Sequence, residues 1–94
     1  MQYLWISVIG QHPFNTARTR RFRVTFWEIS SAHIIERRTQ DGELISAQLK
    51  LGRYSIPTKN WYDAHVFHYQ IWASFQLGYE EVEIPSFAWQ KAPR

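Results

Sequence analysis

Cysteine is absent from the chain, which removes disulfides, thiolate metal sites and cysteine nucleophiles at once and leaves packing as the means of stabilisation. Glycine and proline are sparse, four of each. Gly10, Gly42, Gly52 and Gly78 stand singly in turn-like contexts, so no glycine-rich loop is present to cradle a phosphate. Neither a nucleophile with an adjacent base nor a distinguishable pair of carboxylates occurs, and Glu80, Glu81 and Glu83 read as a solvated acidic strand edge that discourages aggregation. No apolar run approaches the ~20 residues of a membrane span. The apolar stretch 1–10 lacks a positive n-region and a small-residue cleavage site, and reads as a buried strand of a cytoplasmic protein with no membrane association. Strong net charge is missing too: eleven Lys and Arg against eight Asp and Glu give +3, which permits an anionic partner without a charged tail that demands one.

Aromatic residues are what the chain has in quantity: five Trp, five Tyr and six Phe, 17% of 94 residues. Each ring buries about 150–250 Å², and one domain of this length buries roughly two thirds of its unfolded surface. A single domain over 1–94 is therefore expected to hold together without cross-links.

Period-two patterning predicts strands at 2–9 and 20–29, the latter with Phe22, Val24 and Phe26 toward the core. The intervening 10–19 carries turn chemistry and reads as a loop. Asp41-Gly42 suits a two-residue hairpin turn. With Gln40 opposite Glu43, Ile34 faces Leu49, Ala32 faces Leu51, Glu36 faces Ala47 and Arg38 faces Ile45, so one face collects the apolar set and the other takes His33, Arg37, Thr39, Ser46, Gln48 and Lys50, with Ile35 and Leu44 as exceptions. A short helix over 32–38, capped by Ser31, competes with the first hairpin strand. Residues 52–57 read as a loop. Thr58 or Asn60 then caps a helix that runs to about Leu77 and stops at Gly78. Trp61, Ala64, His68, Trp72 and Phe75 form its first apolar side and Tyr62, Val66, Ala73 and Leu77 a second, leaving Asp63, Gln70 and Ser74 as a narrow polar stripe. A final strand over 79–89 contains Pro85, which restricts it to an edge or a strand end. The fold class is α+β: an antiparallel β-sheet of about four N-terminal strands plus a C-terminal strand, with one long helix packed on one face.

Two constellations are candidates for function. Four arginines in six residues, Arg18, Arg20, Arg21 and Arg23, with Trp27 close by, suit nucleic acid or another polyanion. The plain alternative is a solvated strand face in which Arg21 and Arg23 pair with Glu81 and Glu83. The segment departs from the RNA-recognition strand motif, which wants small residues where Arg21 and Arg23 stand.

His65 and His68, with Tyr69, Trp72 and Tyr62 beside them, form the second candidate. Two imidazoles three apart lack the third ligand a zinc site needs, so no metal and no cofactor is expected. The remaining readings are a hydrogen-bonded core histidine, a polar group in a pocket for a small apolar or aromatic ligand, and a small enzyme with a helix histidine as acid or base. Trp5, Phe22, Phe26, Trp61, Trp72 and Phe75 are placed in the core by spacing. Trp27, Tyr54, Tyr62, Tyr69, Tyr79 and Trp89 fall on faces one helix and one sheet leave open. That surplus points to a non-enzymatic binding protein that self-associates as a homodimer, since Tyr, Trp and Arg are the residues enriched at interface hot spots.

Overall fold

The computed structural model describes residues 2–11 and 17–86, with the backbone alone for residues 11, 17 and 18. The fold is α+β, with six strands in two three-stranded sheets and one main helix. In the first sheet β1 (Leu4–Gln11) lies between β2 (Ala17–Val24), to which it is antiparallel, and β6 (Glu81–Ser86), to which it is parallel. In the second, β4 (Leu44–Leu51) lies between β3 (His33–Arg38) and β5 (Tyr54–Thr58), antiparallel to both.

Two sheets replace the single expected one because the chain turns away after β2. The predicted strand over 20–29 stops at Val24, and Phe26–Ser30 form a short helix, α1. Its start is a capping box: the Glu28 backbone N–H donates to Thr25 Oγ1 (3.4 Å) and the Thr25 N–H donates to Glu28 Oε1 (2.8 Å). The T-x-x-E spelling of Thr25 to Glu28 carries this signal, and it outweighs the alternation that would have put Phe26 in the core; Phe26 is instead substantially exposed. The loop expected over 10–19 is also shorter, since β1 and β2 stay paired to Gln11 and Ala17.

Residues 33–38 are strand rather than helix, and Ile34 faces Leu49 and Glu36 faces Ala47 in the expected register. The turn differs. Gly42 (φ +89°) donates its N–H to the Thr39 carbonyl and Thr39 donates to that of Glu43, a three-residue loop with a glycine bulge. The register shifts there, so Arg38 lies opposite Leu44 and not Ile45. The loop expected over 52–57 is mostly β5, joined to β4 by Gly52 and Arg53, and Pro57 is tolerated because β5 is an edge.

The long helix, α2, spans Trp61–Gln76. Asn60 caps it, accepting the Asp63 N–H at 2.8 Å. At the other end Tyr79 donates to the Ser74 carbonyl and Gly78 (φ +81°) to that of Phe75, the paired bonds of a left-handed glycine cap. The buried stripe is Ala64, Phe67, Ile71 and Ser74. It is rotated from the expected side, so Trp61 is half exposed, His68 and Trp72 sit on the flank, and Ser74 is buried instead of polar-facing. This stripe joins Leu4, Ile6 and Val8 of β1, Phe22 and Val24 of β2, Ile29 of α1, Leu49 and Leu51 of β4, Ile56 of β5 and Ile84 of β6 in one core. Ser86 ties the sheets together, its hydroxyl donating to the Pro57 carbonyl at 2.5 Å. No helix among the described residues is long and apolar enough to cross a membrane.

Candidate functional site

Capping of α1 fixes the first wall of a groove on the flank of α2. His68 Nε2 lies 2.9 Å from the Ile29 carbonyl oxygen. A carbonyl only accepts, so Nε2 carries the proton, and in the neutral ring Nδ1 is then the acceptor. That nitrogen has no partner among the described residues. One helical turn back, His65 stacks on Trp61 with ring centroids 5.0 Å apart and planes at 9°. Ser30, His65, His68, Tyr69 and Trp72 line a groove of about 270 Å³. Four of the five candidates on this helix thus come together, joined by Ser30 of α1. Tyr62 is not among the lining residues and is exposed.

A second depression of about 330 Å³, lined by Gln2, Thr25, Phe26, Trp27 and Phe75, adjoins the first. Phe26 stands between them, its ring 5.6 Å from Trp72, 6.0 Å from Phe75 and 5.5 Å from Trp27. None of the ten lining residues is Asp, Glu, Lys or Arg. Sequence reasoning missed the α1 half of this face because it extended β2 through the capping box.

No family model, curated protein or solved structure matches this chain. Function is therefore read from the geometry. Among the described residues no group of three or more His, Asp or Glu is placed to hold a metal ion.

The arginine cluster is divided between faces. Arg21 and Arg23 lie on the outer face of the first sheet, Arg21 over the Trp5 ring at 4.1 Å and Arg23 over Tyr3 at 4.3 Å. Arg20 turns the other way, 5.9 Å from the Phe22 ring and donating to the Ser55 carbonyl at 3.4 Å. Trp27 is on α1, and the side chain of Arg18 lies outside the described residues, as does Trp89. Trp5, expected in the core, is half-buried under the two guanidinium groups because odd-numbered β1 residues face outward. Tyr54, expected on an open face, packs on the core edge, stacked on Phe22 at 4.3 Å.

Arg21 also pairs with Glu81 at 3.2 Å, as the solvated-face reading anticipated, while Arg23 has no acidic partner among the described residues. Glu81 accepts a second bond, 2.6 Å from the Ser7 hydroxyl. The Ser7 hydrogen bond, followed by that of Arg21, holds the Glu81 carboxyl below its ordinary range. Because the folded value is the lower one, the stabilisation is complete above the ordinary glutamate range and is lost as pH falls through the depressed value. Carboxyl carbon chemical shifts followed against pH are expected to show Glu81 titrating below the ordinary glutamate range. Ser7→Ala is expected to move it upward, and an unmoved titration would assign the depression to Arg21 alone.

Proposed function

We propose that the protein acts by binding, as a homodimer, through the uncharged aromatic face of α1 and α2. The observation that carries this reading is the composition of that face: ten lining residues, five of them Phe, Trp or Tyr and none charged, in a chain that is 20% charged. Interface cores are depleted in charge and enriched in aromatics. A two-fold contact brings each residue's neighbourhood against its own copy, so a +3 chain pairs with itself most readily where it carries no charge.

The area is of the right order. Phe26, Trp27, Trp61 and Tyr69 are 40%, 75%, 50% and 69% exposed. At about 150–250 Å² per ring, covering them removes on the order of 500 Å² from water, more than half of the ~800 Å² that a standard interface takes from each partner. Trp27 is the projecting element and the His68 groove the receiving one. Each copy supplies both, and the indole N–H has His68 Nδ1 as a matching acceptor. A small planar aromatic ligand in the same groove is the second reading, favoured by the lone acceptor within an otherwise aromatic wall.

Light scattering after size-exclusion chromatography, at tens of micromolar protein, is expected to return twice the 11.3 kDa chain mass. Trp27→Ala is expected to return one chain mass with an unchanged circular dichroism spectrum. A wild-type mass of one chain, or a Trp27→Ala dimer as tight as wild type, would overturn the dimer. In the first case, ring chemical-shift changes at His68 and Trp72 on adding indole would favour the small ligand.

A further inference from the structure

We propose that the outer face of the β3-β4-β5 sheet is a separate binding surface for a phosphodiester strand, single-stranded nucleic acid held by its backbone. Alternation places Ile34, Ala47, Leu49, Leu51 and Ile56 toward the core and therefore His33, Arg37, Gln48, Lys50 and Ser55 on the opposite face, with Ile35 and Pro57 flanking Gln48 in the middle row. His33, Lys50 and Ser55 form one row across the three strands. At the β5 end of that row Arg20 arrives from the Phe22 side of β2 and donates to the Ser55 carbonyl, and Arg53, in the turn that leads into β5, lies over the Tyr54 ring at the core edge.

The outward cations of the second sheet are not matched by outward acids. Ion pairs join Arg21 to Glu81 on the first sheet and Arg38 to Glu36 at the hairpin end of β3. No Asp or Glu occupies an outward position of β3, β4 or β5 between His33 and Arg37, Ser46 and Lys50, or Ser55 and Pro57. Arg37 and Lys50 have no acidic partner among the described residues. The Gln48 side-chain oxygen accepts the Ser55 hydroxyl, which leaves the amide N–H donors as the unpaired end of that side chain. Cations and donors remain and acceptors are consumed, the polarity an anion requires.

The form of the surface selects among polyanions. Arg37 and Lys50 lie on neighbouring strands four residues apart along the ladder, so their Cα atoms are about 14 Å apart, a span that an extended single strand crosses with more than one phosphate step. A duplex reader needs a helix or ribbon to enter a groove, and this face is the flat side of a sheet. A membrane-surface binder inserts apolar side chains, whereas on this sheet Ile35 is half-buried and Ile45 stands at the hairpin end, and the other exposed large apolar residues are Tyr3, Leu77, Tyr79 and those of α1 and α2.

The test is fluorescence anisotropy of a labelled mixed-sequence single-stranded oligonucleotide of about 16 nucleotides, at the upper end of known site sizes. Binding is expected at about 50 mM salt, weakening as salt rises with a logarithmic slope of about −2 to −3, the value for three or four neutralised phosphates in a single strand. Lys50→Glu and Arg37→Glu, each checked for a native circular dichroism spectrum, are expected to weaken it at least tenfold. Arg23→Gln, on the other sheet, is expected to leave it within twofold. If Lys50→Glu fails to fold, Arg37→Glu and Arg53→Glu, at exposed positions, decide. No binding at low salt, binding insensitive to these reversals, or tighter binding to a duplex or to phosphatidylserine vesicles would overturn the proposal.

Discussion

Gly52→Ala is expected to lower the folding stability by about 2–3 kcal/mol, a large share of what a chain of this length possesses. Two costs combine. Gly52 sits at φ +61°, in the left-handed region, where a side chain costs roughly 1–2 kcal/mol. An added Cβ would also lie 2.8 Å from Glu28 Oε2 and 3.0 Å from its Cγ. Glu28 cannot swing aside without giving up its bonds to the Thr25 N–H and hydroxyl, and loss of a cap costs about 1 kcal/mol. Gly42 supplies the comparison: it is also left-handed, at φ +89°, but an added Cβ there meets nothing within 4 Å. Gly42→Ala should show the conformational cost alone. Urea unfolding of the two variants separates the costs, and equal midpoints would mean that Glu28 moves freely and that the capping box does not define the start of α1.

Leu49→Ala is expected to cost about 2–5 kcal/mol, the range for truncating a buried leucine. Leu49 lies in the central strand of its sheet, opposite Ile34 on one side and Ile56 on the other, and is wholly buried. It is held from both sides in the plane of the sheet, so its surroundings collapse poorly around a void, which favours the upper half of that range. Ile45, four residues earlier on the same strand, is 52% exposed at the hairpin end, and Ile45→Ala should cost less than about 1 kcal/mol because little surface is returned to water. Thermal and denaturant unfolding check both. Similar losses at the two positions would contradict the register that sends Leu49 inward.

Those parts of the fold whose determinants are local were legible in the sequence. Gly78 and Asn60, the latter one of two cap candidates with Thr58, bounded α2 because caps are spelled by single residues. The β3-β4 register was legible because a one-residue slip would have turned Leu49 and Leu51 outward. The division into two sheets was not, although its cause, the T-x-x-E capping box at Thr25, is written in the chain: alternation through Phe26 masked it. The strand β5 was hidden by Gly52 and Pro57, which signal a loop unless the strand is known to be an edge. Helical spacing alone brought His65, His68, Tyr69 and Trp72 to one groove, yet it placed His68 at the centre of the buried side. The flank of α2 is where it lies, because Phe67 and Ile71 outbid it for the core and α1 supplies the Ile29 carbonyl. The basic strand shows the opposite failure. Arg20 is separated by alternation from its sequence neighbours Arg21 and Arg23, while Arg37 and Lys50 of β3 and β4, distant from them in the chain, are brought to one face by strand pairing.

The most direct measurement of where two copies meet is an isotope-filtered nuclear Overhauser experiment on a one-to-one mixture of labelled and unlabelled protein. A dimer through the aromatic face predicts intermolecular contacts from the Trp27 indole to Tyr69, Trp72 and His68 of the other copy, and none from the outer faces of either sheet. Intermolecular contacts confined to the sheets, or a Trp27 indole with none at all, would contradict it.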